Sequence, residues 1–218
     1  MSYKLKKIFE PEIAAWIGTI APICALVSMG FSIALSPWFS WTQNALSDLG
    51  VSKVAPIFNS GLILTGILTS IFAIAYAKAE QEDNISLTGA VVLLFMGIST
   101  VGVGVFTEAF LGMHILFAFS CFGSLILSFT IFCVRFALEL GTKKLLYIAS
   151  SITIIGFVVW YIISLSPINI SLRGVATLEA LIALPFFPLY LILSIRLHRK
   201  KTSIPLKIRK KDQHLSLK

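Results

Sequence analysis

Long apolar runs recur six times along this chain, and that recurrence constrains the fold more than any motif in it. A helix advances about 1.5 Å per residue, so about 20 predominantly apolar residues cross the hydrocarbon core of a bilayer. The runs lie at about 12–35, 55–77, 86–106, 113–137, 144–166 and 175–197. In lipid a spanning segment must satisfy its backbone N–H and C=O groups internally, which leaves helices or closed barrels. Runs of this length predict an all-α integral membrane protein, a six-transmembrane-helix bundle with a short interfacial segment in its first outer loop. Composition agrees: 57% of residues are hydrophobic and 13% charged, where a soluble domain carries about 25% charged residues. An ordinary cytosolic enzyme, a disordered chain and a secreted disulfide scaffold are thereby excluded. Residues 1–197 form one transmembrane domain, and 198–218 read as a basic, disordered cytoplasmic tail.

Charge sets the orientation. With a cytoplasmic N-terminus, sixteen of the 18 Lys and Arg fall in inside segments, and only Lys53 and Arg173 lie outside. The positive-inside rule therefore places both termini in the cytoplasm of a multi-pass plasma-membrane protein. The net charge of +8 follows this topology and does not mark a nucleic-acid binder. The expected partners are the lipid bilayer, anionic lipid headgroups near the tail, and other membrane-protein subunits. Trp38, Trp41, Trp160 and Tyr161 fall near outer span ends, and Trp16, Tyr76 and Tyr147 near inner ends, as aromatic belts require. The first run is longer than a signal-peptide core and reads as a retained helix. Cys24, Cys121 and Cys133 all sit inside apolar runs and read as small buried hydrophobes.

Small residues recur at helical spacing: Ser120, Ser124 and Ser128 on the fourth span, Gly97, Thr100 and Gly104 on the third, and Gly66 seven after Asn59 on the second. Such stripes are expected to serve helix packing, with a hydroxyl-lined path as the alternative. Asn59, one turn inside its span, reads equally as interhelical glue or as the floor of a polar pocket.

The acids are more informative. Seven of the ten Asp and Glu are placed inside, whereas Asp48, Glu108 and Glu179 fall at the outer boundary together with His114 and Arg173. As a short interfacial helix, the first outer loop would put Trp38, Trp41, Ala45 and Leu49 on one face, with Gly50 as its stop; Asp48 could equally cap the turn. Glu108 and His114 are joined by a very short connection, and a carboxylate beside an imidazole suits a proton relay, a metal half-site or an ion pair. Glu179 lies nearly two turns into the sixth span, where a carboxylate must face the bundle interior or a wet cavity. Arg173 is its obvious local counter-charge, although six-residue spacing sets the two on different helix faces, and Asp48, Glu108 or a ligand headgroup are equally open as partners of the arginine.

Asn44, Ser47-Asp48-Leu49-Gly50, Phe58-Asn59-Ser60-Gly61, Phe106-Thr107-Glu108, His114, Arg173-Gly174 and Glu179, in this order, resemble the prokaryotic six-span family known as domain of unknown function 998. The resemblance covers residues 12–195. It implies the architecture and no established activity. From the residues, the leading expectation is a binding or accessory protein whose outer pocket (Asp48, Asn59, Glu108, His114, Arg173 and Glu179) takes a lipid headgroup or small polar ligand, with Arg173 meeting phosphate or carboxylate. A metal-dependent intramembrane lipid hydrolase is the first alternative, with zinc held by Asp48, Glu108, His114 and Glu179. A small proton-coupled transporter is the second, and a structural subunit the third. Whether the chain is an enzyme is left open by its residues, and catalytic positions are unassigned.

Overall fold

The computed structural model describes residues 8–141 and 175–215, together with positions 144, 151, 155 and 158, and side chains up to Lys200. Over these residues the protein is an all-α membrane bundle. The helices are α1 (Pro11–Ala34), α2 (Ala55–Ala79), α3 (Asn84–Val105), α4 (Leu111–Leu140), α5 (Ala176–Ala183) and α6 (Phe186–Leu215). Among the described residues five segments are long and apolar enough to cross a membrane: α1, α2, α3, Glu108–Leu140 and Ala176–Lys200. They match five of the six expected runs. The run at 144–166 lies largely outside the described residues, as do Arg173, Trp160, Tyr161 and Tyr147; the described positions 144, 151, 155 and 158 are helical.

Local chemistry sets the helix ends. Prolines open α1 and α2, where a missing N–H costs nothing. Asp83 caps α3 by accepting from the N–H groups of Ile85 (3.1 Å) and Ser86 (3.3 Å). Gly141, at φ 63°, closes α4 in the left-handed conformation that a side chain disfavours. The last span is not one continuous helix. It breaks at Leu184-Pro185 between α5 and α6, because Pro185 has no N–H to donate and its ring crowds the preceding turn.

Helices α1 to α4 pack side by side in order, and α6 returns against α1. The main core lies between them, with Phe72, Tyr76, Phe132, Leu193 and Leu197 fully buried. Tyr190 stacks on Phe72 and shares a 2.7 Å hydrogen bond with Thr69. Large apolar side chains such as Trp16, Phe31 and Phe95 face outward, as lipid permits. The small-residue stripe serves packing where α2 meets α3: a Cβ on Gly66 would lie 2.5 Å from the Gly97 carbonyl oxygen, and one on Gly97 2.8 Å from that of Gly66. A smaller cluster of Leu46, Leu49, Val54, Phe58 and Ala176 seals the opposite end of the bundle.

Candidate functional site

The first interhelical loop is strapped to the start of the last span. The Ala176 N–H donates to the Asn44 carbonyl at 3.0 Å, and the Thr177 hydroxyl donates to the Trp41 carbonyl at 3.0 Å. The Leu46 N–H donates to Glu179 Oε2 at 2.8 Å. Glu179 thus holds a backbone amide far away in sequence. The same loop touches the short turn Glu108–Phe110 that joins α3 to α4. The first loop, the start of the last span and the turn after α3 therefore meet, a convergence that the sequence leaves open.

The loop differs in detail from the expected interfacial helix. Helical geometry begins only at Leu46, as a 3-10 turn to Val51, because Asp48 Oδ2 accepts from the Ala45 N–H (3.1 Å) and from Asn44 Nδ2 (2.8 Å). Asn44 Oδ1 in turn binds the Ser40 N–H at 2.9 Å, which bends the preceding segment. Trp38 and Trp41 stay exposed while Ala45 and Leu49 are buried, so the four do not share a face. Asp48 is the cap of its own turn. Gly50 lies inside the turn and is no stop; a Cβ there would lie 2.7 Å from Asn59 Oδ1. That close approach lets Asn59 Nδ2 donate to the Gly50 carbonyl at 2.9 Å, which makes Asn59 the tie between loop and α2.

His114 is buried near the start of α4. Its Nδ1 lies 2.8 Å from the Phe106 carbonyl oxygen, which only accepts, so Nδ1 carries the proton and Nε2 is left for another partner. Glu108 forms no ion pair with it; among the described residues Glu108 has neither a hydrogen bond nor a salt bridge. Both line one cavity of about 110 Å3 between α4 and α5, together with Glu179 and Ser47. The rest of the lining is apolar and includes Leu111, Ile115, Ala118, Phe119, Phe122 and Ile182. Of the six residues singled out from sequence, Glu108, His114 and Glu179 face this cavity. Asp48 and Asn59 brace its roof, and Arg173 lies outside the described residues. Among those residues no group of three His, Cys, Asp and Glu side chains is arranged to hold a metal. The aromatic wall of Phe119 and Phe122 escapes sequence reasoning, because only the docking of α5 on the loop closes a cavity against it.

Sequence reasoning also misses a charged cluster at the other end of the bundle. Glu80, 4% exposed, pairs with Arg196 (3.3 Å) and Lys200 (2.7 Å). Arg196 also pairs with Glu139, which pairs with Arg135 at 3.2 Å, and Arg135 reaches Asp83. Burial alone would raise the Asp83 carboxyl, but the Arg135 guanidinium and the bonds from Ser86 hold it down at about 2. Lys200 donates as well to the last carbonyl of α2, that of Ala79, at 2.9 Å. The signal was present in the sequence as acids and arginines on one side of the membrane, without a way to pair them.

The comparisons with known proteins agree with the architecture. The family model described as "Protein of unknown function (DUF998)" matches residues 19–196. No curated protein and no solved structure matches the chain. With a match over most of its length, this membrane chain belongs to the DUF998 family, whose function is unknown.

Proposed function

We propose that the cavity between α4 and α5 binds the polar end of a membrane amphiphile, a lipid headgroup or a small polar ligand partitioned into the bilayer, and that the protein is a binding or accessory component of the plasma membrane. The observation that carries this reading is the meeting of Glu108, His114 and Glu179 on one cavity whose other walls are apolar. A volume of about 110 Å3 admits a headgroup or a few methylenes and not a whole lipid. Leu111 and Ile115 at its lining are exposed, which gives an acyl chain a lateral way out to the bilayer. Arg173, two residues before the cavity-lining Val175 in sequence, is the proposed cation for a phosphate or carboxylate. The distribution of Lys and Arg supports a cytoplasmic location for both termini, which puts this cavity at the outer leaflet.

Binding is preferred to zinc-dependent hydrolysis because a catalytic zinc needs three protein ligands, and no such triad gathers among the described residues. The test is native mass spectrometry of the detergent-purified protein, with identification of what it retains. An Ala118→Trp variant fills the cavity without touching a polar group. The expected result is a retained small molecule or lipid that is lost from the variant while the fold persists. Equal retention by both proteins would overturn the reading.

A further inference from the structure

We infer that the polar end taken by the cavity between α4 and α5 is a primary ammonium group, that of an ethanolamine-type headgroup or of a free amine; this rests on the binding reading above and names its ligand class. The polar side chains on the described wall can all accept. Glu108 has neither a hydrogen bond nor a salt bridge among the described residues. Glu179 spends Oε2 on the Leu46 N–H at 2.8 Å and keeps Oε1. His114, 8% exposed, donates from Nδ1 to the Phe106 carbonyl at 2.8 Å. In the neutral ring that makes Nε2 an acceptor, and it has no partner among the described residues. The Ser47 hydroxyl accepts as readily as it donates. No lysine or arginine stands among the described lining residues.

Acceptors on an otherwise apolar wall ask for a ligand that brings donors. A carboxylate facing such a wall is costly unless paired, and charge-assisted hydrogen bonds are the strong kind. A primary ammonium carries three N–H donors, one each for Glu108, Glu179 and His114. A quaternary ammonium has the same charge and no N–H. It leaves His114 Nε2 and both carboxylates without hydrogen bonds, although the rings of Phe119 and Phe122 stand on the wall. A metal ion would draw its ligands to about 2 Å, and no such group of three forms among the described residues. An ammonium takes its acceptors at about 2.8 Å and needs only a looser ring. A volume of about 110 Å3 holds the ammonium and the short methylene link behind it. The phosphate of an ethanolamine headgroup then stays outside the acceptors, on the side left to Arg173 in the binding reading.

The test uses the full chain in detergent, titrated separately with phosphatidylethanolamine, phosphatidylcholine and phosphatidylglycerol of the same acyl chains. Bound lipid is counted by native mass spectrometry. The first two lipids carry the same net charge, so diffuse attraction by the basic tail does not separate them. The expected preference for phosphatidylethanolamine over phosphatidylcholine is at least about tenfold, the scale of lost hydrogen bonds to charged groups. Ala118→Trp, which fills the cavity, is expected to abolish that preference, and Glu108→Gln to weaken it. Free ethanolamine that binds as well as the lipid would support the ammonium with a soluble source; binding of the lipid alone would support it with a bilayer source. Equal retention of ethanolamine and choline lipids, or a preference for phosphatidylglycerol, each lost in Ala118→Trp, would overturn the ammonium and leave the cavity as a site for another headgroup. A preference that survives both Ala118→Trp and Glu108→Gln would place the lipid elsewhere and overturn the cavity together with its ligand.

Discussion

At the Asp83 end of the bundle, Glu80, Asp83 and Glu139 face Arg135, Arg196 and Lys200, and each carboxylate has a cation within reach. At the Asp48 end the acids have no such partners among the described residues. Asp48 and Glu179 are held by backbone N–H groups of the first loop, and Glu108 faces a cavity. Burying a charge is costly unless it is paired or neutralised. One end meets that cost with its own side chains, which suits a fixed joint between α2, α3, α4 and α6. The other leaves its acids with open capacity, which suits a site that something else completes.

The largest effect should come from breaking the paired end. Arg196→Met removes the residue that joins Glu80 to Glu139 and leaves Glu80 buried with Lys200 alone. Removing one member of a buried pair costs about 3 kcal/mol or more. Thermal unfolding in detergent should show that loss. A change below about 1 kcal/mol, the scale of an exposed pair, would mean that the network is surface decoration and would erase the contrast between the ends.

Asp83→Ala should rank next. It removes a helix cap, worth about 1 kcal/mol, and the partner of Arg135, for about 2 kcal/mol in all. The same residue predicts a pH dependence. Its carboxyl sits at about 2 against an ordinary 3.8, so the folded state holds the charged form more tightly than the unfolded chain does. Its contribution is complete above about pH 4 and fades as the pH falls towards 2. Unfolding curves of the native chain should lose stability across that window, and the variant should show a shallower loss. Parallel curves would place the acid sensitivity elsewhere.

How much of this was legible in the sequence depended on the kind of information each feature needs. Run length alone gave the spans that are described, because crossing lipid is a one-dimensional requirement. The break at Pro185 was legible too, yet a continuous apolar run hides it unless the missing N–H is counted. Asp48, Glu108 and Glu179 were recognisable as acids at one depth, and they do come together. Their roles were not legible. Whether Asp48 caps Ala45 or faces a ligand turns on a backbone bend set by Asn44 and Ser40, and the partner of His114 is the backbone carbonyl of Phe106, which no side-chain pattern marks. The Glu80–Arg196 pair joins residues more than a hundred positions apart. No local pattern encodes it, because it exists only after α6 returns to α2.

The smallest expected change in stability is also the one that best separates the two ends. Glu108 stands at the entry to α4, where the helix N-terminus favours a negative charge by a few tenths of a kcal/mol. It has no hydrogen bond or ion pair among the described residues. Glu108→Gln keeps the shape and removes the charge, so unfolding should shift by no more than about 0.5 kcal/mol. The same substitution changes one of the few polar groups on the cavity wall, so whatever the native chain retains there should bind more weakly. A fall in retention with unchanged unfolding is the pattern of a side chain kept for a ligand. If Glu108→Gln instead costs as much as Arg196→Met, the carboxylate is a structural member like Glu80, and both ends of the bundle are joints.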